Sequence, residues 1–325
     1  MARKRVFSGA RPTGHQHLGN YLGAIRNYVA LQEQGYETIY CVVDFHAMTT
    51  SFGNLKEMTK EMVLDWMAAG LDPEKSILFV QSSVPEVVEL AWYFSTITPL
   101  GRLLRLPTFK EKVRAQPDNV NYGLVGYPVL MAADITLYKA DIVPVGVDQA
   151  PHLEFTREVV RRFNRLFGPV LVEPEILYTE FPKVLGIDGV NKMSKSLNNH
   201  IEIAAPPEEV RQRVMMMVTD PQRTHRHIPG RPEVCNVFSM HKFFSPDEVE
   251  RIDQECRTAE IGCVDCKKLL AQNIIDYFAP FREKREKLAA DPNYVWDVLE
   301  EGRRRAKAIA EKTMEEVREA IYSVK

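Results

Sequence analysis

Two lysines and two serines surround a single methionine at residues 192–196, which read KMSKS. Ammonium groups and hydroxyls at this density can bind several phosphate oxygens at once, by charge and by hydrogen bonds. Lysine and serine are also ordinary loop residues, so a solvated loop is the alternative interpretation. This lysine segment therefore indicates polyphosphate binding, and a second segment is needed to support it.

The second segment, which we call the glycine loop, covers residues 12–20 and reads PTGHQHLGN. It lies between a strand-like run at residues 5–9 and a helical pattern over about residues 18–34. The first turn of a helix has unpaired amide groups and carries positive partial charge, so such a junction suits a phosphate. Gly14 and Gly19 allow the backbone to approach a ligand closely.

Apolar strand-like runs alternate with amphipathic helical patterns through the first part of the chain. The predicted strands cover residues 5–9, 38–43, 76–81 and 141–145. This alternation predicts an α/β fold with a doubly wound, Rossmann-like parallel sheet, which binds ligands beyond the carboxyl ends of its strands. Later patterns are helical. We therefore predict a catalytic domain over residues 1–196 and an all-helical domain over residues 197–290.

An acidic residue lies on an otherwise apolar helix face. A helix that we predict to begin at Pro128 carries on one face Met131, Asp134, Ile135 and Tyr138. Burying an unpaired polar group costs about 2 to 7 kcal/mol, and burying a charge costs more, so Asp134 needs a hydrogen-bond donor. A backbone amide or an arginine could supply it, and a substrate N–H would serve equally well.

The last predicted strand of the sheet ends in the sequence GVDQ at residues 146–149. An acidic residue at the carboxyl end of a strand can accept hydrogen bonds from ribose hydroxyls, and an amide can hold the ammonium or carboxylate of an amino acid. Asp148 could equally be a simple helix cap. The residues alone leave both interpretations open.

Charge and apolar patterning restrict the classes of protein. The formal net charge of −2 over 325 residues gives no general attraction to nucleic acid, so any RNA contact must come from a local patch. Residues 222–231 include three arginines and two histidines but no acid, which favours either phosphate contact with RNA or a solvated loop. Without a secretory signal or an uninterrupted apolar span, we expect a cytoplasmic protein that does not enter membranes.

The HLGN sequence at residues 17–20, followed far downstream by KMSKS, resembles the paired signatures of class I aminoacyl-tRNA synthetases. The resemblance covers essentially the whole chain and is closest to the bacterial tryptophanyl-tRNA synthetase family, in which Asn20 in place of a histidine is a common variation. It implies an enzyme that joins the carboxylate of an amino acid to the α-phosphate of ATP, releases pyrophosphate and then esterifies the terminal adenosine of a tRNA. It also implies a helical domain that binds the anticodon, a last helix at about residues 291–325 that completes the first domain, and a homodimer.

The resemblance implies a set of residues that bind ATP with Mg²⁺. These are Arg11, Pro12, Thr13, His17, Gly19, Asn20, Gly146, Val147, Asp148, Val184, Lys192, Met193, Ser194, Lys195 and Ser196. His17, Lys192 and Lys195 would be the catalytic residues, and the two lysines would neutralise the departing pyrophosphate. Val184 matches a position whose backbone receives adenine in the family.

The amino acid implied by the resemblance is tryptophan, with tRNA(Trp) as the partner. The implied pocket consists of Phe7, His46, Tyr127, Met131, Asp134 and Gln149. Tyrosyl-tRNA synthetases share the fold but resemble a pattern with tyrosine and glutamine at the positions of Phe7 and Met131. Both positions are apolar here, so Asp134 would accept the single N–H of an indole, and Tyr127 and Gln149 would hold the α-amino group. The alternatives are a tyrosine-specific enzyme and a nucleotidyltransferase that acts without tRNA.

Four cysteines lie in the helical part of the chain: Cys235, Cys256, Cys263 and Cys266. Four thiolates can hold zinc or an iron–sulfur cluster. Structural zinc usually has two Cys-x-x-Cys pairs, whereas only one pair is present. The arrangement resembles that of a subset of bacterial tryptophanyl-tRNA synthetases with a [4Fe–4S] cluster, which we expect here. Zinc and unligated buried cysteines are the alternatives, and Cys41 is expected to be only buried.

Overall fold

The computed structural model describes residues 3–50, 53–146, 149–178 and 184–323. The strands of these ranges are β1 (Arg5–Ala10), β2 (Glu37–Val42), β3 (Ser76–Val80), β4 (Ile142–Val145) and β5 (Glu175–Tyr178). They form a parallel sheet in the order β3-β2-β1-β4-β5. The order reverses between β1 and β4, so a crevice opens beyond their carboxyl ends. The predicted doubly wound α/β fold is confirmed.

Helices connect and cover these strands. They are α1 (Leu18–Asn20), α2 (Arg26–Glu33), α3 (Asp44–Met48), α4 (Leu55–Ala68), α5 (Glu86–Ile97), α6 (Leu100–Leu103), α7 (Pro107–Ala115), α8 (Tyr122–Leu137) and α9 (Ala150–Phe167). A π-helical turn, Tyr21–Ile25, joins α1 to α2, so the helix predicted from residue 18 is present with one wide turn. None of the described helices is both long enough and apolar enough to cross a membrane.

Both faces of the sheet are buried, and successive residues of a strand contribute to opposite faces. Ile39 and Cys41 of β2 pack in a core with α5, α8 and α9. Tyr40 and Val42, the alternate residues, pack on the other face with α4 and the turn before α2. Both faces are therefore apolar, as expected of a strand in the middle of a parallel sheet.

Helix α8 begins earlier than predicted. It starts at Tyr122, where the Asn121 side chain accepts a hydrogen bond from the amide of Leu124 (3.0 Å), and Pro128 lies inside the helix. The prediction that Pro128 starts the helix is therefore wrong. A proline inside a helix loses one hydrogen bond, but α8 is buried along most of its length, and this packing outweighs the local preference.

The remaining described helices are α10 (Pro207–Met215), α11 (Asn236–Phe244), α12 (Val249–Arg257), α13 (Cys263–Tyr277), α14 (Ala279–Ala289) and α15 (Tyr294–Tyr322). Helices α10 to α14 surround a second apolar core, which also takes in Leu18, Leu22 and Met193. The lysine segment is thus anchored between the two halves of the molecule by its methionine.

Helix α15 returns to the sheet. A Cβ atom added to Gly302 would lie 1.7 Å from the carbonyl oxygen of Leu78 in β3, so the two backbones are in direct contact. Ala306, Ala310, Met314 and Val317 of α15 belong to the same core as α5, α8 and α9. The last helix of the chain therefore packs on the first half of the molecule.

Candidate active site

The lysine segment lies over the glycine loop. The Lys195 ammonium donates to the carbonyl oxygen of Thr13 (3.0 Å) and lies 3.5 Å from a carboxylate oxygen of Glu202. Gly14, beneath it, has a φ of +72°, a conformation that favours glycine. Two segments that lie far apart in the sequence, each suited to phosphate by its chemistry, are thus brought together.

Gly19 allows this close approach. A Cβ atom at position 19 would lie 3.3 Å from Cβ of Met193 and 3.0 Å from the His17 ring. The chain that follows the lysine segment also pairs with the glycine loop, because Leu18 donates to Ile201 (2.9 Å) and Ile203 donates to Gln16 (2.9 Å). Backbone hydrogen bonds therefore fix the position of the lysines relative to the loop.

Asn199 determines the shape of the lysine segment. Its side chain is buried, accepts the amide of Ser194 (2.7 Å) and donates to Asp188 (2.8 Å). The hydroxyls of Ser194 and Ser196 lie 2.8 Å apart. A Cβ atom at Gly186 would overlap Asn199 at 2.2 Å. Sequence reasoning missed Asn199, since nothing in the local pattern distinguishes it from an ordinary loop residue.

His17 is a neutral imidazole at the start of α1. Its Nδ1 accepts the amide of Asn20 (3.2 Å), and the Asn20 side chain accepts the amide of His17 (3.1 Å). Burial, together with the nearby His200, Lys195 and Lys192, lowers the pKa of His17 to about 3. Because Nδ1 is an acceptor, Nε2 carries the proton and can donate to a phosphate oxygen.

A cavity of about 500 Å³ opens beside the carboxyl ends of β1 and β4. This is within the usual range for a small-molecule site. Its lining includes all six residues predicted for the amino-acid pocket: Phe7, His46, Tyr127, Met131, Asp134 and Gln149. Arg11 and Gly146 also line the cavity, and His152, which the sequence reasoning missed, lies 3.4 Å from the Tyr127 hydroxyl.

Asp134 obtains its hydrogen-bond donors from the protein. The Gln81 amide donates to both carboxylate oxygens (2.7 and 2.8 Å), and Nε2 of His46 lies 2.8 Å from one of them. Burial raises the pKa of Asp134, and the bonds from His46 and Gln81 oppose that rise. A carboxylate has about four acceptor sites, so it can still take one N–H from a ligand. Gln81 was not predicted, because its strand end gave no sign of which helix it would meet.

The remaining predicted ATP contacts differ in how the structure places them. Val147 and Asp148 lie outside the described residues, so the ribose contact stays a prediction. The carbonyl of Val184 accepts the amide of Met193 (2.9 Å), and the predicted adenine contact is likewise untested. Pro12 is buried in the glycine loop, whereas Lys192 is exposed at the surface of the lysine segment.

The four cysteines are neighbours in the helical region. Cys235 is buried, and the other three are half-buried. Burial and the charges of the other three thiols raise the pKa of Cys266 to about 12. Among the residues that the structure describes, no three His, Cys, Asp or Glu side chains are arranged as a group that could hold a metal ion. The structure thus brings the thiols within electrostatic reach of each other without showing a metal-binding geometry.

The basic loop, residues 222–231, contains basic side chains that are held by structural contacts and others that are exposed. Arg223 is buried and donates to the carbonyl of Ile261 (2.8 Å) and to the Cys256 sulfur (3.5 Å), and Arg231 pairs with Asp220 (2.6 Å). Both arginines therefore have structural contacts. The exposed members are His225, Arg226 and His227. These three exposed side chains can offer charge or hydrogen bonds to an outside partner.

An open parallel sheet with a glycine loop after its first strand, covered by a lysine segment, defines a nucleotide-binding α/β enzyme. Residues 2–279 match the family described as tRNA synthetases class I (W and Y). The tryptophan–tRNA ligase of Deinococcus radiodurans is 48% identical over 99% of both chains, and that of Thermotoga maritima is 48% identical over 98% of both. The tryptophanyl-tRNA synthetase of Campylobacter jejuni, solved with ADP and tryptophan, matches with a TM-score of 0.88 and 35% identity, covering 98% of this chain and 99% of that one. This chain belongs to the bacterial tryptophanyl-tRNA synthetases of class I.

Proposed function

We propose that this chain is a tryptophan–tRNA ligase, which activates L-tryptophan with ATP and transfers it to the 3′-terminal adenosine of tRNA(Trp). The observation that carries the proposal is the position of the cavity. An apolar pocket with one buried carboxylate opens next to a glycine loop that is covered by Lys195. An amino acid in that pocket and a polyphosphate on that loop would meet at the carboxylate and the α-phosphate.

The chain's residues act in this reaction mainly by placement and charge. Arg11, Thr13 and Gly19 border the space for the phosphates, and the neutral His17 donates from Nε2. Lys192 and Lys195 offset the negative charge that grows on the departing pyrophosphate. Mg²⁺, held chiefly by phosphate oxygens, would supply further positive charge.

Selectivity for tryptophan follows from the polarity of the pocket. Phe7 stacks on Tyr138 (ring centroids 5.5 Å apart), and Met131 also lines the cavity, so neither offers a hydrogen bond to a phenol. Asp134 offers an acceptor for an indole N–H. Polar matching of this kind can discriminate by about 10⁴ to 10⁵-fold.

Amino-acid-dependent exchange between ATP and pyrophosphate tests the function. Tryptophan should support exchange and tyrosine should not. Comparable exchange with tyrosine would identify the tyrosine-specific alternative, and exchange independent of any amino acid would favour a nucleotidyltransferase. Charging of tRNA(Trp) tests the second step separately.

We further propose that Cys235, Cys256, Cys263 and Cys266 hold a [4Fe–4S] cluster. The donor chemistry supports the proposal, since the four thiols lie within electrostatic reach of each other and, although burial raises the pKa of Cys235, the backbone amides of Phe238 and Val237 oppose that rise. A bound cluster would supply structural order to the basic loop rather than chemistry to the active site. Iron and sulfide analysis after anaerobic purification tests this, and stoichiometric zinc or an absence of iron would overturn it.

A cysteine substitution separates a local role from a general one. If the cluster orders the loop against tRNA, Cys263→Ser should reduce tRNA charging more than tryptophan activation. Cys41→Ser changes a buried cysteine of β2 outside the group and serves as the control. Equal losses of charging and activation in Cys263→Ser would indicate a general folding role.

We also propose that the chain forms a homodimer through an apolar groove between α5 and α8. Trp92 and Tyr122 line this groove and are 65% and 75% exposed, so two large aromatic rings share one open apolar surface. Analytical ultracentrifugation should give a dimer for the wild type and a monomer for Trp92→Glu. A monomeric wild type would overturn the proposal.

A further inference from the structure

Arg285 of α14 reaches from the helical region into the catalytic half. Its Nε donates to a carboxylate oxygen of Asp65 in α4 (2.6 Å). Its Nη2 pairs with Glu61 of the same helix and lies 3.3 Å from Nδ1 of His15 in the glycine loop. One guanidinium therefore contacts two carboxylates of α4 and the loop that precedes α1. A planar group with several donors suits this task, which a lysine could fulfil only in part.

Asp65 connects Arg285 to the backbone of the glycine loop. The side chain of Asp65 is completely buried, and its second oxygen accepts the amide hydrogen of Gln16 (2.6 Å). Burial raises the pKa of Asp65, and the charge of Arg285 opposes that rise. Without the guanidinium, this carboxylate would be an uncompensated charge in the interior.

Gln16 connects Asp65 to Thr13 and Gly14, the turn that lies beneath Lys195. Gln16 is buried, and its side-chain amide donates to the carbonyl of Gly14 (2.7 Å) and lies 3.3 Å from the Thr13 hydroxyl. The carbonyl of Thr13 in turn accepts from Lys195 (3.0 Å). A continuous path of hydrogen bonds thus runs from α14 through α4 and the glycine loop to the lysine segment.

We propose that Arg285 is a positioning residue for ATP, acting through Asp65 and the Gln16 peptide. It orients the buried carboxylate, which fixes the Gln16 amide and with it the turn of Thr13 and Gly14. The proposal rests on the assignment of this loop to ATP in the proposed function. It also makes the helical region a direct determinant of the geometry of the phosphate site.

Arg285→Lys tests the proposal, since it keeps the charge but loses the fork that spans Asp65 and Glu61. We expect the Kd for ATP alone, measured by calorimetry, and the KM for ATP in exchange to rise about tenfold, because small misplacements of binding groups cost up to ~100-fold. The Kd for tryptophan should change less than twofold. Arg282→Lys is the matched control, because Arg282 lies on the same helix and donates to the carbonyl of Ile275 within the helical region.

Equal changes in ATP and tryptophan binding, or a lower Tm with both affinities intact, would show a structural role and overturn the proposal.

If Arg285→Lys does not fold, Glu61→Gln provides the second test. This variant keeps the hydrogen bond from Arg285 to Asp65 but weakens the ion pair between Arg285 and position 61. It should also raise the Kd for ATP without changing the Kd for tryptophan, by a smaller factor than Arg285→Lys. Equal effects on both ligands there also overturn the proposal. Because ATP binding is measured without turnover, failure of tryptophan activation would count against the proposed function alone.

Discussion

At the scale of single residues, Lys195 is the group that we propose to act on the departing pyrophosphate. Its ammonium is held between Thr13 and Glu202 above the glycine loop. Charge on pyrophosphate grows as its bond breaks, so Lys195→Ala should lower kcat for activation more than it raises the KM for ATP. Steady-state exchange kinetics measure both, with the exposed Lys75, paired with Glu33, substituted as the control. An effect confined to KM would contradict the role.

Substitution of Asp134 tests whether its carboxylate contacts the amino-acid substrate. Asp134→Ala would leave the buried donors of His46 and Gln81 unpaired, so Asp134→Asn is the cleaner change. Hydrogen bonds to charged groups contribute roughly 1.5 to 3 kcal/mol, which corresponds to a loss of about 10 to 150-fold in kcat/KM for tryptophan. The KM for ATP, measured in the same assay, should change little. Unaltered kcat/KM for tryptophan would exclude contact between this carboxylate and the substrate.

At the scale of elements, α11 contains a buried histidine that makes stability depend on pH. Burial lowers the pKa of His241 to about 4, and its ring bonds to Ser245 (2.8 Å) and lies 3.2 Å from the carbonyl of Cys266. The unfolded chain binds a proton near pH 6.5 and the folded chain does not, so acidification from pH 6.5 toward 4 favours unfolding by roughly 1 kcal/mol per pH unit. Urea unfolding at pH 7, 6 and 5 should show a weaker pH dependence in His241→Asn than in the wild type. Equal pH dependences of the free energy of unfolding in the wild type and in His241→Asn would show that His241 is not responsible.

At the scale of the whole molecule, the contact between α15 and β3 joins the end of the chain to its first half. Gly302→Ala would place a methyl group 1.7 Å from the carbonyl oxygen of Leu78, so the helix must shift. Overpacking typically costs about 1 to 3 kcal/mol, and contact with backbone favours the upper end. Gly101→Ala is the control, because only the flexible Arg105 guanidinium lies within 4 Å there. Thermal unfolding should show a lower Tm for Gly302→Ala alone, and equal Tm values would argue against close packing of α15.

The sequence by itself determined the parallel sheet, the pairing of the lysine segment with the glycine loop, and the six residues predicted for the amino-acid pocket, all of which line the cavity. These features follow from local periodicity, from glycine and lysine chemistry, and from family resemblance. It also showed that Asp134 needed a donor. It could not show that the donors are Gln81 and His46, because the tertiary structure decides which strand end meets which helix.

The same limit applies to the groups that hold the site together. Asn199 and Arg285 are polar residues in stretches without distinctive patterns, and each becomes informative only through partners distant in the chain. Arg223 looked like part of an exposed basic patch, yet it is buried beside Cys256. A side chain's charge is visible in the sequence, but its burial and its partner are properties of the packed molecule. Only the tertiary structure could therefore distinguish an arginine that meets a ligand from one that supports the site.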